Sequence, residues 1–344
     1  MRMDAFRCKV VAAAAVAGLF AVGSEARATE YGQTHVDLAF IDVLSGITLP
    51  PGLYIRDDVN YNTSDRLNDR NGNRVTLNAG VLGKYPVKFS SNNVADVFSV
   101  IYVPGITIPF LGAKIGAGAY GYYVWSRAEA QHTIFGFTSG GGETRRGLGD
   151  ITFVPIFLQW AFPSVNAYAT LSPLEFTAPT GTYAKNDPIG NTPGLNYWSY
   201  RPALELTYLN KTGQEMSVNA NFSFNSQNNE TKYKSGNEFS ATYVLQQHFS
   251  RKFAAGAEGY FYDQFTNDTQ NGVVVNTVRP ASFLVPFDPL NEGPGDRGQT
   301  FAIGPTVTYS PTPALTTNFH WVHELFSYNR RQGDAFWLRA AYHF

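Results

Sequence analysis

Hydrophobic and polar residues alternate along much of the chain, most clearly between positions 216 and 225. One parity is apolar: Met216, Val218, Ala220, Phe222 and Phe224. The other is polar: Ser217, Asn219, Asn221, Ser223 and Asn225. Because strand side chains point alternately to the two faces of a sheet, this pattern predicts a strand with one apolar and one polar face.

Twelve segments of this kind follow one another and contain little that is helical. Each has 11 to 16 residues, enough to cross a bilayer at a tilt. Strands of soluble sandwiches usually have about 5–6 residues, so the lengths favour a membrane barrel. The predicted strands are 51–62, 93–103, 112–126, 147–162, 165–179, 196–209, 214–226, 236–249, 253–266, 299–310, 314–327 and 333–344.

The connections between these segments alternate in length. Those after odd-numbered strands average about 19 residues and those after even-numbered strands about 4. Long loops on one side and short turns on the other are typical of outer-membrane barrels. The prediction is therefore an all-β fold, a transmembrane antiparallel up-and-down β-barrel of about twelve strands. Fourteen strands result if 75–81 and 84–90 pair as a hairpin.

The composition of the 344 residues agrees with this fold. Charged residues make up 15% and aromatic residues another 15%, and 26 Lys+Arg against 27 Asp+Glu leave a net charge of −1. The absence of a basic excess excludes nucleic acid as a partner, because binding it requires cations that offset phosphates. A hydrophobic fraction of 44% and a mean hydropathy of −0.20 exclude a bundle of membrane helices. Lipid facing the apolar wall is the expected environment.

Residues 1–28 have the pattern of a signal peptide. Basic residues precede the 13-residue apolar stretch Val10–Val22, which is too short to span a bilayer as a helix. Ala26 and Ala28 supply the small residues before a cleavage site after position 28. Cleavage also removes Cys8, the only cysteine, and leaves 22 basic and 25 acidic residues, a net charge of −3. We therefore expect export to the bacterial outer membrane, with neither a disulfide nor a thiolate site in the mature protein.

The segment 29–50 precedes the first strand, and its apolar residues suggest a plug in the lumen. An eight-strand barrel is just filled by its own side chains, and a twelve-strand barrel is wider. An extra strand or a disordered tail are the alternatives. The apolar residues proposed for the plug are Val36, Leu38, Phe40, Ile41 and Leu44.

Inward-facing charges are the best candidates for function. A charge facing lipid near the midplane costs roughly 2–4 kcal/mol for Arg, so charges on the strands are expected inside. They form either a structural network of ion pairs or a polar constriction that selects solutes. By alternation the inward set is Arg56, Asp58, Asp150, Arg201, Glu205, Glu258, Glu324 and Arg339, joined by Glu175 if Pro173 marks a bulge.

Tyrosines also fall on the inward face, where their rings can stack on planar solutes. The alternative is an interfacial girdle, since tyrosines are enriched at both membrane surfaces. The tyrosines concerned are Tyr120, Tyr122, Tyr260 and Tyr262.

The last strand alternates up to a terminal aromatic residue. A barrel that ends in Phe resembles the clients of the bacterial barrel-assembly machinery, which is therefore an expected partner. The residues of this proposed assembly signal are Phe336, Leu338, Ala340, Tyr342 and Phe344.

Several motifs resemble one family in order along the chain. They are Pro50-Pro51-Gly52-Leu53-Tyr54, Gly147-Leu148-Gly149-Asp150-Ile151, Ala178-Pro179-Thr180-Gly181-Thr182-Tyr183, Asn196-Tyr197-Trp198-Ser199-Tyr200-Arg201-Pro202, Tyr233-Lys234-Ser235-Gly236-Asn237-Glu238-Phe239 and Phe336-Trp337-Leu338-Arg339-Ala340-Ala341-Tyr342-His343-Phe344. The family is the SphA-like group of outer-membrane proteins named for the meta-pathway of phenol degradation. The resemblance implies an outer-membrane barrel for uptake of small, often aromatic or hydrophobic compounds. It assigns no binding residues.

Two other functions are weaker interpretations. A structural or adhesive barrel would act through the long loops 63–92 and 267–298, the latter of which contains apolar residues. A lipid hydrolase would need a His and a Ser on one face; His248 and Ser250 have that spacing but lie at the wrong end of the barrel to meet outer-leaflet lipid. The acidic residues of loop 63–92 are interrupted by arginines, so we expect no metal and no cofactor. Monomer and trimer both remain open.

Overall fold

The computed structural model describes residues 29–36, 38–40, 43, 45–78, 83–185, 190–275 and 297–344. Three predictions lie outside these residues: the signal peptide 1–28, plug residues Ile41 and Leu44, and the apolar cluster Phe283–Phe287 in loop 267–298. Within the described residues, no α-helix is long and apolar enough to cross a membrane.

The chain forms a closed barrel of twelve antiparallel strands, which confirms the predicted fold. Each strand pairs with its neighbours in the chain, and the first also pairs with the last, from Tyr54 opposite His343 to Leu67 opposite Arg331. The strands are β1 (Gly52–Leu67), β2 (Lys84–Val103), β3 (Ala113–Ile134), β4 (Ile151–Phe162), β5 (Ala167–Ala178), β6 (Ala203–Leu209), β7 (Gln214–Asn225), β8 (Glu238–His248), β9 (Phe253–Gln264), β10 (Gln299–Tyr309), β11 (Leu315–Tyr328) and β12 (Arg331–His343).

Compact turns join the strands at one end of the barrel. Between β4 and β5 a 3-10 turn, Pro163–Val165, is followed by Asn166 in the left-handed conformation. Between β6 and β7 the Asn210 side chain accepts hydrogen bonds from the N–H groups of Thr212 (3.0 Å) and Gln214 (2.9 Å). We call this the short-turn end; in outer-membrane barrels it faces the periplasm. The opposite end is the long-loop end.

Two strands extend beyond the wall at the long-loop end. The alternation predicts a strand at 93–103, but β2 already begins at Lys84. β3 runs on to Ile134 and pairs with a further strand, Phe137–Leu148, as a hairpin. Thr76–Asn78 pairs with the start of β2. The hairpin considered for a fourteen-strand wall therefore exists only as an extension, and the wall has twelve strands.

One predicted strand is divided in the structure. The segment predicted at 196–209 forms a two-residue strand, Ser199–Tyr200, and then β6 from Ala203. Pro202 lies between the two pieces and has no N–H to donate to the sheet, so the ladder is interrupted there.

The two faces of the wall differ as a membrane barrel requires. On β7, Met216 is 56% and Phe222 45% exposed, whereas the intervening Ser217 and Asn219 are buried. On β12, Leu338 is exposed and Arg339 is buried. The apolar face is therefore outside and the polar face lines the lumen, the reverse of a soluble barrel.

Candidate functional site in the barrel lumen

The described residues of the segment 29–50 run along the lumen from the long-loop end to the short-turn end. Near the long loops, the Glu30 N–H donates to Ser235 Oγ (3.0 Å). Halfway down, the Ala39 N–H donates to Thr242 Oγ1 (3.3 Å). Near the short turns, the Gly46 N–H donates to Thr207 Oγ1 (3.1 Å). The segment is thus hydrogen-bonded to the wall along its length, mainly through its backbone.

Phe40 is the apolar centre of this segment and is only 3% exposed. Its ring packs 5.0 Å from the Tyr120 ring and 6.0 Å from the Trp337 ring, centroid to centroid. The Arg56 guanidinium lies 4.0 Å from the centre of the Phe40 ring. Val36 is also buried, and Leu38 packs at the edge of the same cluster. Burial of one such ring stabilises the docked segment by about 1.5–3 kcal/mol.

Asp58 forms the centre of the first charged cluster. It is fully buried on β1 and stands directly opposite Arg339 on β12. Its carboxylate lies 2.5 Å from Arg339 Nε and 2.7 Å from Arg56 Nε. Both arginines also donate to the carbonyl oxygen of Phe40. One carboxylate therefore holds two guanidinium groups in place, and both of these bind the segment.

A second cluster joins Glu175, Arg201 and Tyr120. Arg201 Nη2 lies 3.5 Å from Glu175 Oε1, and Arg201 Nη1 donates to the Tyr120 hydroxyl (3.2 Å). The Tyr120 hydroxyl in turn donates to Glu175 (3.2 Å). The register of β5 shifts between Leu171 and Leu174, around Pro173, and Glu175 faces the lumen.

Asp150 contacts the N-terminal segment through His35. His35 Nε2 lies 2.8 Å from Asp150 Oδ2, and His35 Nδ1 lies 2.7 Å from Ser199 Oγ. The same carboxylate accepts the N–H groups of Gly181 (2.8 Å) and Leu195 (2.7 Å). His35 was not among the predicted site residues. Its partner is 115 positions away, so only the barrel brings the two together.

Several of the remaining predicted residues lie in the lumen beside partners. Glu258 Oε1 is 3.4 Å from His320 Nε2. The hydroxyl of Tyr260 donates to Glu324 (2.7 Å). The other two tyrosines also face inward: Tyr262 donates to Glu238 (2.6 Å) and Tyr122 to the Pro193 carbonyl (3.0 Å). None of these four tyrosine side chains, Tyr120 included, lies in an outer girdle.

Glu238 and Glu215 are lumen residues that the sequence reasoning missed. Glu215 is buried and lies 2.7 Å from His248 Nε2. Glu215 lies two residues before Ser217 and so on the same polar face, and the alternation could therefore have identified it as a lumen residue. Glu238 shares the parity of Ser240 in the same way. His248 is thus engaged with Glu215.

The outward face of β12 carries the proposed assembly signal. Leu338, Tyr342 and Phe344 are exposed, while Phe336 is half-buried. The Phe344 N–H donates to the Leu53 carbonyl (2.9 Å), which ties the chain end to β1. The role of this strand in assembly stays a prediction.

Two cavities flank the residues 38–40 within the lumen. The one toward the short-turn end has a volume of about 510 Å³ and is lined by Phe40, Arg56, Tyr120, Phe157, Glu205 and Arg339 among others. The one toward the long-loop end has about 320 Å³ and is lined by Leu38, Asn60, Tyr122, Tyr260 and Trp337 among others. The segment thus lies between two spaces that together follow the barrel axis.

Glu30 makes the docking of the segment sensitive to pH. Burial raises the pKa of the Glu30 carboxyl above its ordinary value of 4.5, although hydrogen bonds from Thr231, Asn228 and Tyr183 oppose the shift. The docked state therefore binds this proton more tightly than the released state. The stabilisation of the docked state by the protonated Glu30 carboxyl is complete below about pH 4.5. It is lost as the pH rises through the raised pKa.

We expect channel conductance to increase with pH across that window. Glu30→Gln, which stays neutral, should remove this component, and the difference between the two proteins isolates Glu30 from other titrating groups such as Tyr183. Conductance recorded in planar bilayers from pH 4 upward measures the effect. An identical pH profile in both proteins would contradict it.

Comparisons with known proteins support the fold and identify a family. An outer membrane channel from Pseudomonas putida F1 superimposes with a TM-score of 0.63 at 13% identity, covering 90% of this chain and 100% of that one. The translocator domain of autotransporter NalP from Neisseria meningitidis gives 0.43 at 8% identity, covering 86% and 90%. A FadL homologue from Pseudomonas aeruginosa gives 0.35 at 9%, covering 85% and 90%.

Because its identity to this chain is only 13%, the Pseudomonas putida structure shows a shared barrel fold and nothing more specific. No curated protein sequence matches the chain. The sequence model of one family, described as "Putative MetA-pathway of phenol degradation", matches residues 64–340. This confirms the resemblance drawn from the motifs, and the chain belongs to that family.

Proposed function

We propose that the chain is an outer-membrane channel for passive uptake of small hydrophobic or aromatic solutes, closed by the segment 29–50. The observation that carries the proposal is the position of Phe40, buried between two lumen cavities. The family description, which names phenol degradation, and the fold shared with the Pseudomonas putida channel support it.

The lumen suits neutral solutes better than ions. Its three central guanidinium groups stand among three acidic groups: Arg56 and Arg339 share Asp58, Arg201 faces Glu175, and Glu205 lines the same cavity as Arg56 and Arg339. Such a lumen offers little net field to draw in charged solutes. The larger cavity has a mainly apolar wall. A planar apolar molecule therefore gains contact area there without a desolvated charge.

Passage requires the segment 29–50 to leave its place, and its contacts permit this. Apart from the clusters around His35 and Phe40, they are mostly single hydrogen bonds from its backbone to wall side chains such as Ser235, Thr242 and Thr207. Each net contribution is about 0.5–1.5 kcal/mol, which thermal motion and a competing solute can overcome one at a time. The barrel wall, held by continuous strand pairing, stays intact meanwhile.

The remaining parts of the proposal concern biogenesis and chemistry. Export would follow cleavage after Ala28, and the barrel-assembly machinery would recognise the strand that ends at Phe344. We propose no enzymatic activity, because the His–Ser candidate, His248 with Ser250, lies at the short-turn end, where Ser250 Oγ accepts the N–H groups of Lys252 (3.2 Å) and Phe253 (3.1 Å) within the turn. The adhesive alternative is motivated by Val273, which is 70% exposed in loop 267–298.

Uptake by whole cells tests the proposal. In porin-deficient Gram-negative cells, the lipopolysaccharide leaflet slows entry of apolar solutes, and expression of this protein should raise the entry rate of a radiolabelled small aromatic several-fold. A sugar of similar mass should gain less. An adhesive barrel predicts no change in either rate, and that result would overturn the proposal.

A further inference from the structure

Glu205 stands apart from the other charges in the lumen. It is 8% exposed on β6, and its side chain lines the 510 Å³ cavity. Among the described residues its carboxylate has no hydrogen-bond or ion-pair partner, although the charges of Glu175 and Arg56 act on it. A buried carboxyl without a partner is costly, so a molecule in the cavity that hydrogen-bonds to it is favoured.

The neighbouring charges cannot serve as that partner in the docked state. Arg56 and Arg339 both bind Asp58 and the Phe40 carbonyl. Arg201 is engaged with Glu175 and Tyr120. The guanidinium groups of Arg56, Arg339 and Arg201 are therefore each already engaged with other groups.

The rest of the cavity defines the chemistry of the partner. Phe40, Ile101, Val154 and Phe157 give it an apolar wall. A cavity of about 150 Å³ holds a benzene ring, so the present one has room for a molecule of one or two rings. The ligand must donate a hydrogen bond to the Glu205 carboxyl. Arg56 and Arg339 on the same wall disfavour a cation, and because both are already engaged with Asp58, neither offers its charge to an anion.

We propose that this cavity is a binding site for a neutral aromatic molecule with a hydrogen-bond donor, such as a phenolic hydroxyl, which the Glu205 carboxyl accepts. The proposal rests on the proposed channel function and names the solute class that the channel holds on its way. The ring packs against Phe40 and Phe157, beside the segment that must move for passage. Solute binding is thereby placed next to the closing segment.

Binding to the purified full chain tests this with two solutes of similar size. Phenol has a hydroxyl donor, and anisole carries a methoxy group in its place. Titration calorimetry, corrected with protein-free micelles, should show phenol binding at least tenfold more tightly than anisole. Glu205→Leu should remove this preference while anisole affinity stays within about threefold. Glu205→Gln, which keeps an acceptor oxygen, should retain part of it.

Glu238→Gln is the matched control, since Glu238 is an equally buried lumen carboxyl that does not line the cavity. It should leave the phenol preference unchanged. The inference is overturned if phenol and anisole bind equally to the wild type, or if Glu205→Leu keeps the preference. If Glu205→Leu does not fold, an undiminished preference in Glu205→Gln overturns it.

The cellular uptake assay separates this inference from the proposed function. Uptake of aromatics without a phenol preference in binding would support the channel function and contradict the Glu205 site. A Glu205-dependent phenol preference without any uptake would support the Glu205 site and contradict the channel function.

Discussion

Deleting residues 31–48 should raise the single-channel conductance several-fold. The deleted stretch includes Phe40, which separates the two lumen cavities, and Gly46, which lies against the wall at the short-turn end. Without it the cavities merge into one path along the barrel. Recordings in planar bilayers with the full-length protein as reference measure the change. Equal conductance in the two proteins would show that the segment does not close the channel.

Gly46→Ala, which adds a single methyl group, tests whether the segment closes the channel without removing the segment. A Cβ at Gly46 would lie 2.8 Å from the Thr207 nitrogen and 2.9 Å from the Glu205 carbonyl oxygen, both backbone atoms of β6. Gly46→Ala should therefore push the segment off the wall and raise conductance, though less than the deletion does. Gly141→Ala is the control, because nothing lies within 4 Å of a Cβ there.

Replacing Asp58 by Asn should destabilise the barrel by about 3–5 kcal/mol. The amide keeps the volume but leaves the guanidinium groups of the half-buried Arg56 and the buried Arg339 without the carboxylate between them. Denaturant unfolding of the protein in lipid vesicles, followed by tryptophan fluorescence, gives the free energy of unfolding.

Glu129→Gln provides the comparison for Asp58→Asn. Glu129 pairs with Arg127 on the exposed hairpin arm of β3, and such surface pairs contribute roughly 0–1 kcal/mol. If Asp58→Asn lowers the free energy of unfolding no more than Glu129→Gln does, the central cluster contributes little to stability.

The alternation predicted which residues face the lumen, because the direction of a side chain on a strand depends only on its position along that strand. Arg201 and Glu205 share a parity opposite Leu204, and one residue either way would have placed them in lipid. The same logic covered Asp58 and Arg339. Loop lengths, also local, gave the up-and-down order of strands.

Contacts between residues far apart in the sequence could not be predicted in this way. Asp58 and Arg339 are 281 positions apart, and their contact depends on closure of β1 against β12. His35 meets Asp150 only because the segment 29–50 folds back through the barrel. The extended lengths of β2 and β3 were predicted only in part. The segment 84–90 was considered as a hairpin strand, but its apolar residues Val87 and Phe89 pack within the extension and add no strand to the wall.

The most direct test of a lumen that opens by movement of its N-terminal segment is to lock that segment in place. Ala39→Cys combined with Thr242→Cys sets two thiols at a contact in mid-lumen, where the Ala39 N–H lies 3.3 Å from Thr242 Oγ1. The only native cysteine, Cys8, lies within the predicted signal peptide. Under oxidising conditions, aromatic uptake by cells should fall to the level of cells without the protein, and a reductant should restore it. Equal uptake by the oxidised and reduced forms, with the disulfide verified, would contradict the account.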